Sequence, residues 1–426
     1  MREQKIGIKS SSKRKKAMFK FTCNCVVLSI ALSAADAPAK TTPLAEALLE
    51  GRTTLTISPK GIAGDGAPLL REAVLNASIV AIGEDHGTQE IPAFMAAICK
   101  EMGPSLGALA LEIGETAAEQ LDPVLRSPNR IKRMASWLRT YPAGVAFLDI
   151  AADNSAAAYC LRSAPDARLI GLDQEFIGSA GMVLDAILAT KLNKDARKAV
   201  ESIRAAERTA ADQAAVSGNP ASLLLLSASA QQMETVRAAL AIGGDKRAQK
   251  LFSRLVDSAT IYRWNNAGGQ EGNAIRAKLM KTNLRRNMPV KGKVVTRLGA
   301  VHLYKGVNPL KERDLGNWIA ETMDGDGKPA SLHILVVGAK GTQAAFGGYS
   351  RPFRSEQFDA ASSKNARWLA PALGGQSPEE AGWTLFDLRR LRNRQLTEVS
   401  SEWARAIDGY DMLLIIPQVT ASPGVQ

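Results

Sequence analysis

Only three histidines occur in the 426 residues, and two of them fall where a β-strand is expected to end. His86 follows Glu84 and Asp85 directly, and Gly83 and Gly87 bracket the group. A neutral imidazole flanked by carboxylates can take a proton from water near neutral pH, so His86 is a candidate general base. His302 lies three residues beyond a second expected strand end at Gly299. His333 lies inside the apolar run 332–335 and reads as a core histidine instead. Glu112 and Glu115 end another apolar run, and Asp173, Gln174 and Glu175 end a further one. Glu90, four residues after His86, either orients it or supplies negative charge to a first helical turn, where acids are favoured.

The same side chains suit a metal. Glu84, His86, Glu112 and His302 together offer carboxylate and imidazole donors fit for Mn, Co, Fe or Zn, and spacing leaves metal-bound and metal-free sites equally open. Other chemistries lack their signatures. There is no His-Glu-x-x-His, no Cys-x-x-Cys and no Gly-x-Ser-x-Gly elbow, and the loop Gly61 to Gly66 has no lysine to hold phosphate.

Placing those residues together is the task of the strands. Six short apolar runs, 78–83, 107–112, 167–173, 293–299, 331–337 and 411–417, alternate with helical patterns. That alternation predicts an α/β fold with a mostly parallel central sheet and covering helices. In such a sheet ligands bind beyond the carboxyl ends of the strands, so acids and imidazoles from separate strands meet on one edge. Between the first two runs, Ile91, Phe94, Met95, Ile98 and Met102 recur at helical spacing, with Thr88 as the expected cap and Gly103-Pro104 as the stop. The Ala-, Leu- and Arg-rich stretch of about 182–255 predicts a long helical insertion, and about 342–378, rich in Gly, Ser and Pro, a loop-dominated excursion. No internal repeat divides the chain, so 36–426 reads as a single domain.

The net charge of +12 is unevenly spread: eight basic side chains against Glu3 give the first 20 residues +7, leaving +5 for the rest. A basic start, an apolar stretch from Phe21 to Ala34 and then small residues predict a secretory signal peptide over 1–35, cut after Ala35. The apolar stretch is shorter than the roughly 20 residues that span a bilayer, so no transmembrane span is expected in the mature chain. Export to the periplasm or beyond follows, and nucleic-acid binding loses its electrostatic support. Cys23 and Cys25 leave with the leader, while Cys99 and Cys160 remain as a pair compatible with one disulfide.

The segment Ile82-Gly-Glu-Asp-His86-Gly-Thr-Gln-Glu90 resembles the opening motif of the erythromycin esterase-like proteins, whose superfamily includes ChaN-like haem-binding lipoproteins and the TIKI/TraB group. Ala110-Leu-Glu112 resembles that family's second strand, Arg276 to Asn283 its Arg-to-Asn helix, and Lys293 to His302 its strand with a terminal histidine. Phe386 to Leu388 and Gly409 to Pro417 resemble its last strand. The resemblance implies catalytic roles for Glu84, His86, Glu112, Arg276 and His302, with Glu90 and Asp173 beside the substrate. It further implies an exported hydrolase of an ester or related acyl bond, acting on a small molecule, with Arg276 and His302 steadying the oxyanion. Two alternatives come with it. One is a haem- or iron-binding envelope protein, since the single residue between Glu84 and His86 is the haem-binding branch's pattern. The other is a metal-dependent peptidase of the TIKI type, with Glu84, His86 and His302 as metal candidates. The cofactor is accordingly none, a divalent metal or haem.

Overall fold

A computed structural model of the protein describes residues 41–268, 270–327, 330–374 and 382–426. The expected signal peptide, with Cys23 and Cys25, lies outside the described residues. Among the described residues twelve strands occur in chain order: β1 (Thr42–Pro43), β2 (Arg52–Ser58), β3 (Gly61–Ala63), β4 (Ile79–Glu84), β5 (Leu106–Gly114), β6 (Arg168–Asp173), β7 (Lys293–Gly299), β8 (Leu332–Ala345), β9 (Arg354–Asp359), β10 (Trp383–Asp387), β11 (Leu396–Thr397) and β12 (Met412–Val419). The main sheet runs β3-β2-β10-β12-β8-β4-β7-β5-β6, with β9 added to β8. From β12 to β6 every pairing is parallel, and β10, β2, β3 and β9 join antiparallel.

Period-two alternation explains the layering. In β4, Val80 and Ile82 enter the core under the helices Ala67–Asn76, Glu90–Met102 and Ala151–Ser163. Ile79 and Ala81 enter a second core on the opposite face, under Glu271–Asn287, Leu315–Gly325 and Ser401–Gly409. Both faces of the central strands are therefore apolar, as parallel strands require, and each buried Ile or Leu contributes roughly 1.5–3 kcal/mol. Cys99 and Cys160 form a disulfide that ties the helix after β4 to the helix before β6.

The helix Glu90–Met102 ends where expected, and Gly103 takes the left-handed φ of 51° there. Its start differs: Gln89 is the N-cap, and the Thr88 hydroxyl is buried without a partner instead of capping. The helical insertion is present, from Ala180–Leu188 to Lys246–Asn266. Of the expected loop excursion, a good part is strand. β8 runs beyond Val337 to Ala345 and pairs with β9, because a Gly-containing segment leaving a sheet core still satisfies its backbone groups most cheaply by a hairpin. Among the described residues no helix is long and apolar enough to cross a membrane.

Candidate functional site

β4 is the hub of the parallel sheet, with β8 on one side and β7 on the other. From it the chain winds to β5 and β6, returns to insert β7, and then crosses to β8 and β12. That reversal leaves a crevice beyond the carboxyl end of β4, where Glu84-Asp85-His86 lies. Two glycines let the turn sit there. A Cβ on Gly83 would meet the Tyr410 hydroxyl at 2.3 Å, and one on Gly87, whose φ is 93°, would meet the Ala344 carbonyl at 2.4 Å.

The central feature is a row of alternating charge that follows the strand ends. Asp153 pairs with Arg297, and Arg297 Nη1 lies 3.4 Å from Glu84 Oε1. His86 Nδ1 donates to that same oxygen at 3.0 Å, while its Nε2 stands 3.4 Å from Glu112 Oε2. Arg276 donates to Glu112 Oε1 at 2.7 Å and to Asp173 Oδ1 at 2.9 Å. Burial drives the His86 pKa down, but Glu112 and Glu84 outweigh it and raise the group to about 10. Burial likewise opposes charge on Glu112, yet His86, Arg276 and His302 hold its carboxyl well below the usual range. At neutral pH the resting pair is therefore imidazolium and carboxylate.

His86 is the most exposed member of this row, its side chain 29% exposed against 2% for Glu84 and 7% for Glu112. Its ring stacks on Phe147, centroids 4.0 Å apart and planes at 26°. Phe147 has φ of 62°, a left-handed conformation rare for a bulky side chain, and such strain collects at functional sites. His302 ends the short turn Ala300–His302 after β7. Its Nδ1 lies 2.7 Å from Asp314, which also caps the helix Leu315–Gly325, and its Nε2 faces Glu112 at 3.8 Å. Gly299 belongs to the site twice over. Its N–H donates to Glu112 Oε2 at 2.6 Å. A Cβ in its place would stand 3.2 Å from His86 Nε2, 3.5 Å from Glu112 Oε2 and 3.8 Å from His302 Cδ2, so glycine keeps the gap among the three open.

All five expected catalytic residues thus converge, with Asp173 reaching the group through Arg276. Glu90 does not join them: its carboxylate accepts the Thr420 backbone N–H at 2.9 Å and anchors the chain's last segment. Glu115 forms a separate cluster with Arg254 and Arg286. His333 is a core residue, its Nδ1 donating to the Leu303 carbonyl at 2.7 Å, and burial pulls its pKa down to about 4. Arg297 and Asp153 were not anticipated. The signal available was a lone arginine within the apolar strand Val294 to Leu298, which demands a buried acid.

Among the described residues no three His, Cys, Asp or Glu side chains are arranged to hold a metal ion. Glu84 and Glu112 are committed to the two nitrogens of His86 and to two arginines, so the donor set fits proton chemistry and not a cation. Beside His86 opens a cleft of about 1260 Å³, lined at this end by Asp85, His86, Ala300, Val301 and Tyr304. Asp85, whose neighbours Glu84 and His86 drew the expectation, is itself exposed on that wall.

Fold and site together define an α/β protein with a carboxylate-imidazole centre at the switch point of a parallel sheet. Three solved structures share this fold. A succinoglycan biosynthesis protein is 14% identical at a TM-score of 0.56, the match covering 90% of this chain and 98% of that one. A Bacillus cereus protein is 15% identical at 0.55, covering 90% and 98%. The erythromycin esterase EreC, a histidine-to-asparagine mutant in its open conformation, is 15% identical at 0.57, covering 86% and 97%. At such identity the likeness establishes the fold. No protein-family model and no curated protein sequence matches the chain.

Proposed function

We propose that the protein is an exported hydrolase that adds water across an ester or related acyl bond, with His86 as general base. The observation that carries this reading is an imidazole held between Glu84 and Glu112 with its edge on a large cleft. Likeness of fold to an esterase structure is consistent with it.

Water enters the gap kept open by Gly299. Neutral His86 takes its proton on Nε2 while the water oxygen bonds to the acyl carbon. The tetrahedral intermediate then expels the leaving oxygen, which receives that proton from His86, so acid and alcohol are the products. Glu84 and Glu112 stabilise the imidazolium formed in between. Arg276, whose Nε and Nη2 are taken by Asp173 and Glu112, keeps Glu112 charged and in place, and His302 stands across from Glu112 toward the developing oxyanion. Because the resting imidazole is protonated with a pKa of about 10, freeing it at pH 7 costs about 4 kcal/mol, and activity must climb toward alkaline pH. Export is supported by the leader-like first 35 residues and by the Cys99–Cys160 disulfide, a bond that persists in oxidising compartments. The test is hydrolysis of a panel of p-nitrophenyl acyl esters by the purified protein and by Glu112→Gln. Turnover that falls at least 100-fold in the variant supports the reading, and absence of turnover across acyl lengths and pH values counts against it.

A further inference from the structure

The cleft beside His86 extends well past the reacting residues, and its remaining walls describe what it takes. Its volume of about 1260 Å³ exceeds the roughly 300–1000 Å³ of a typical small-molecule site, so a minimal acetyl ester would leave most of it empty. Leu335 and Val337, from the first half of β8, and Phe358, near the end of β9, supply apolar surface. Trp368 adds a flat wall, fixed by edge contact at 5.1 Å with the buried Trp403.

Across this surface stand three cations, Lys364, Arg367 and Arg405, on the segment 361–370 and the helix Ser401–Gly409. Among the described residues Lys364 and Arg367 make no side-chain hydrogen bond or ion pair, and Arg405 forms no close ion pair although its charge acts on the neighbouring Glu402, whereas Arg276 and Arg297 in the site are both ion-paired. Two acids share the cleft, Asp85 beside His86 and Glu402, which accepts from the Ser401 hydroxyl at 3.2 Å. Three guanidinium and ammonium groups against two carboxylates leave a positive excess, carried by Lys364 and Arg367 because Arg405 faces Glu402, and cations without a close acid beside an apolar wall are the arrangement that receives an anion.

We infer that the substrate is an anionic acyl compound, whose carboxylate or comparable anion is held by Lys364, Arg367 and Arg405 while its apolar body lies on Trp368 and Phe358 and its acyl carbon reaches His86. This rests on the hydrolase reading above, and two measurements separate the two claims. The first compares kcat/KM for 4-acetoxybenzoate with that for its uncharged methyl ester, in the wild type and in Lys364→Gln/Arg367→Gln. The second is calorimetric binding of 4-hydroxybenzoate to both proteins, at low and high salt. A preference of tenfold or more for the anionic ester, carried in KM and reduced to near unity in the variant, is the expected result. With it goes binding of 4-hydroxybenzoate that weakens in the variant and in salt. Turnover of both esters without charge preference overturns the anion site and leaves the hydrolase standing. Binding that depends on Lys364 and Arg367 without any ester turnover keeps the anion site and overturns the hydrolase. Neither turnover nor binding overturns both.

Discussion

His86 Nε2 stands 3.4 Å from Glu112 Oε2 across a gap that any side chain at position 299 would narrow. Gly299 has φ of −49°, an ordinary value for any residue, so Gly299→Ala introduces a methyl without backbone strain. It is expected to lower kcat at least tenfold by displacing the attacking water, with the melting temperature nearly unchanged. Paired kinetics and thermal melts check this, and full activity in that variant would remove the gap from the mechanism.

With only three histidines in the chain, side-chain NMR can follow each one. His86 is expected to titrate near pH 10 and His333 to stay neutral down to about pH 4. The stability consequence of His86 has a definite sign. Its folded pKa is raised above the unfolded value near 6.5, so its contribution is complete below pH 6.5, declines as pH rises, and is gone above about pH 10. The same titration predicts kcat/KM rising from pH 7 toward 10, as the base is freed. A rate that instead declines over that range would make His86 an acid.

Arg297 is buried to 4% exposure between Asp153 and Glu84. Replacing it by methionine leaves buried Asp153 without its cation and Glu84 with His86 alone, and breaking such a buried pair typically costs about 3–5 kcal/mol. Chemical denaturation of Arg297→Met should show a loss of that size, and a loss below about 1 kcal/mol would mean that neither acid depends on it for its charge.

The disulfide closes a loop spanning 61 positions, for which chain entropy predicts about 4 kcal/mol of stabilisation. Cys99→Ser/Cys160→Ser, or reduction of the wild type, should lower the denaturation midpoint accordingly.

The sequence was most legible where one physical signal dominated. The six expected strands all occur, since a strand buried on both faces must be an apolar run, and Lys293–Gly299 matches its expected bounds. Glu84, His86, Glu112 and His302 converge because residues at and just beyond the strand ends of a parallel sheet share one edge, and Arg276 reaches them from the helix Glu271–Asn287 by bonding Glu112 and Asp173. What escaped was set by tertiary pairing. β2 is mostly threonine with Arg52 at its start, β3 is only three residues long, and in β10 Thr384 interrupts the apolar side chains, so none of the three carries a continuous apolar run. Asp153 lies in an alanine-rich helix whose sequence does not announce that its acid meets an arginine 144 residues away. Glu90 follows His86 by one helical turn, yet the chain's last segment claims it.

The central claim is that His86 performs the chemistry. His86→Ala, whose ring borders a cleft and is not part of the apolar core, should retain the wild-type circular dichroism spectrum and cooperative melt. For any ester the wild type hydrolyses, kcat/KM at pH 9 should fall at least 1000-fold in the folded variant. Activity within tenfold of wild type would contradict the account.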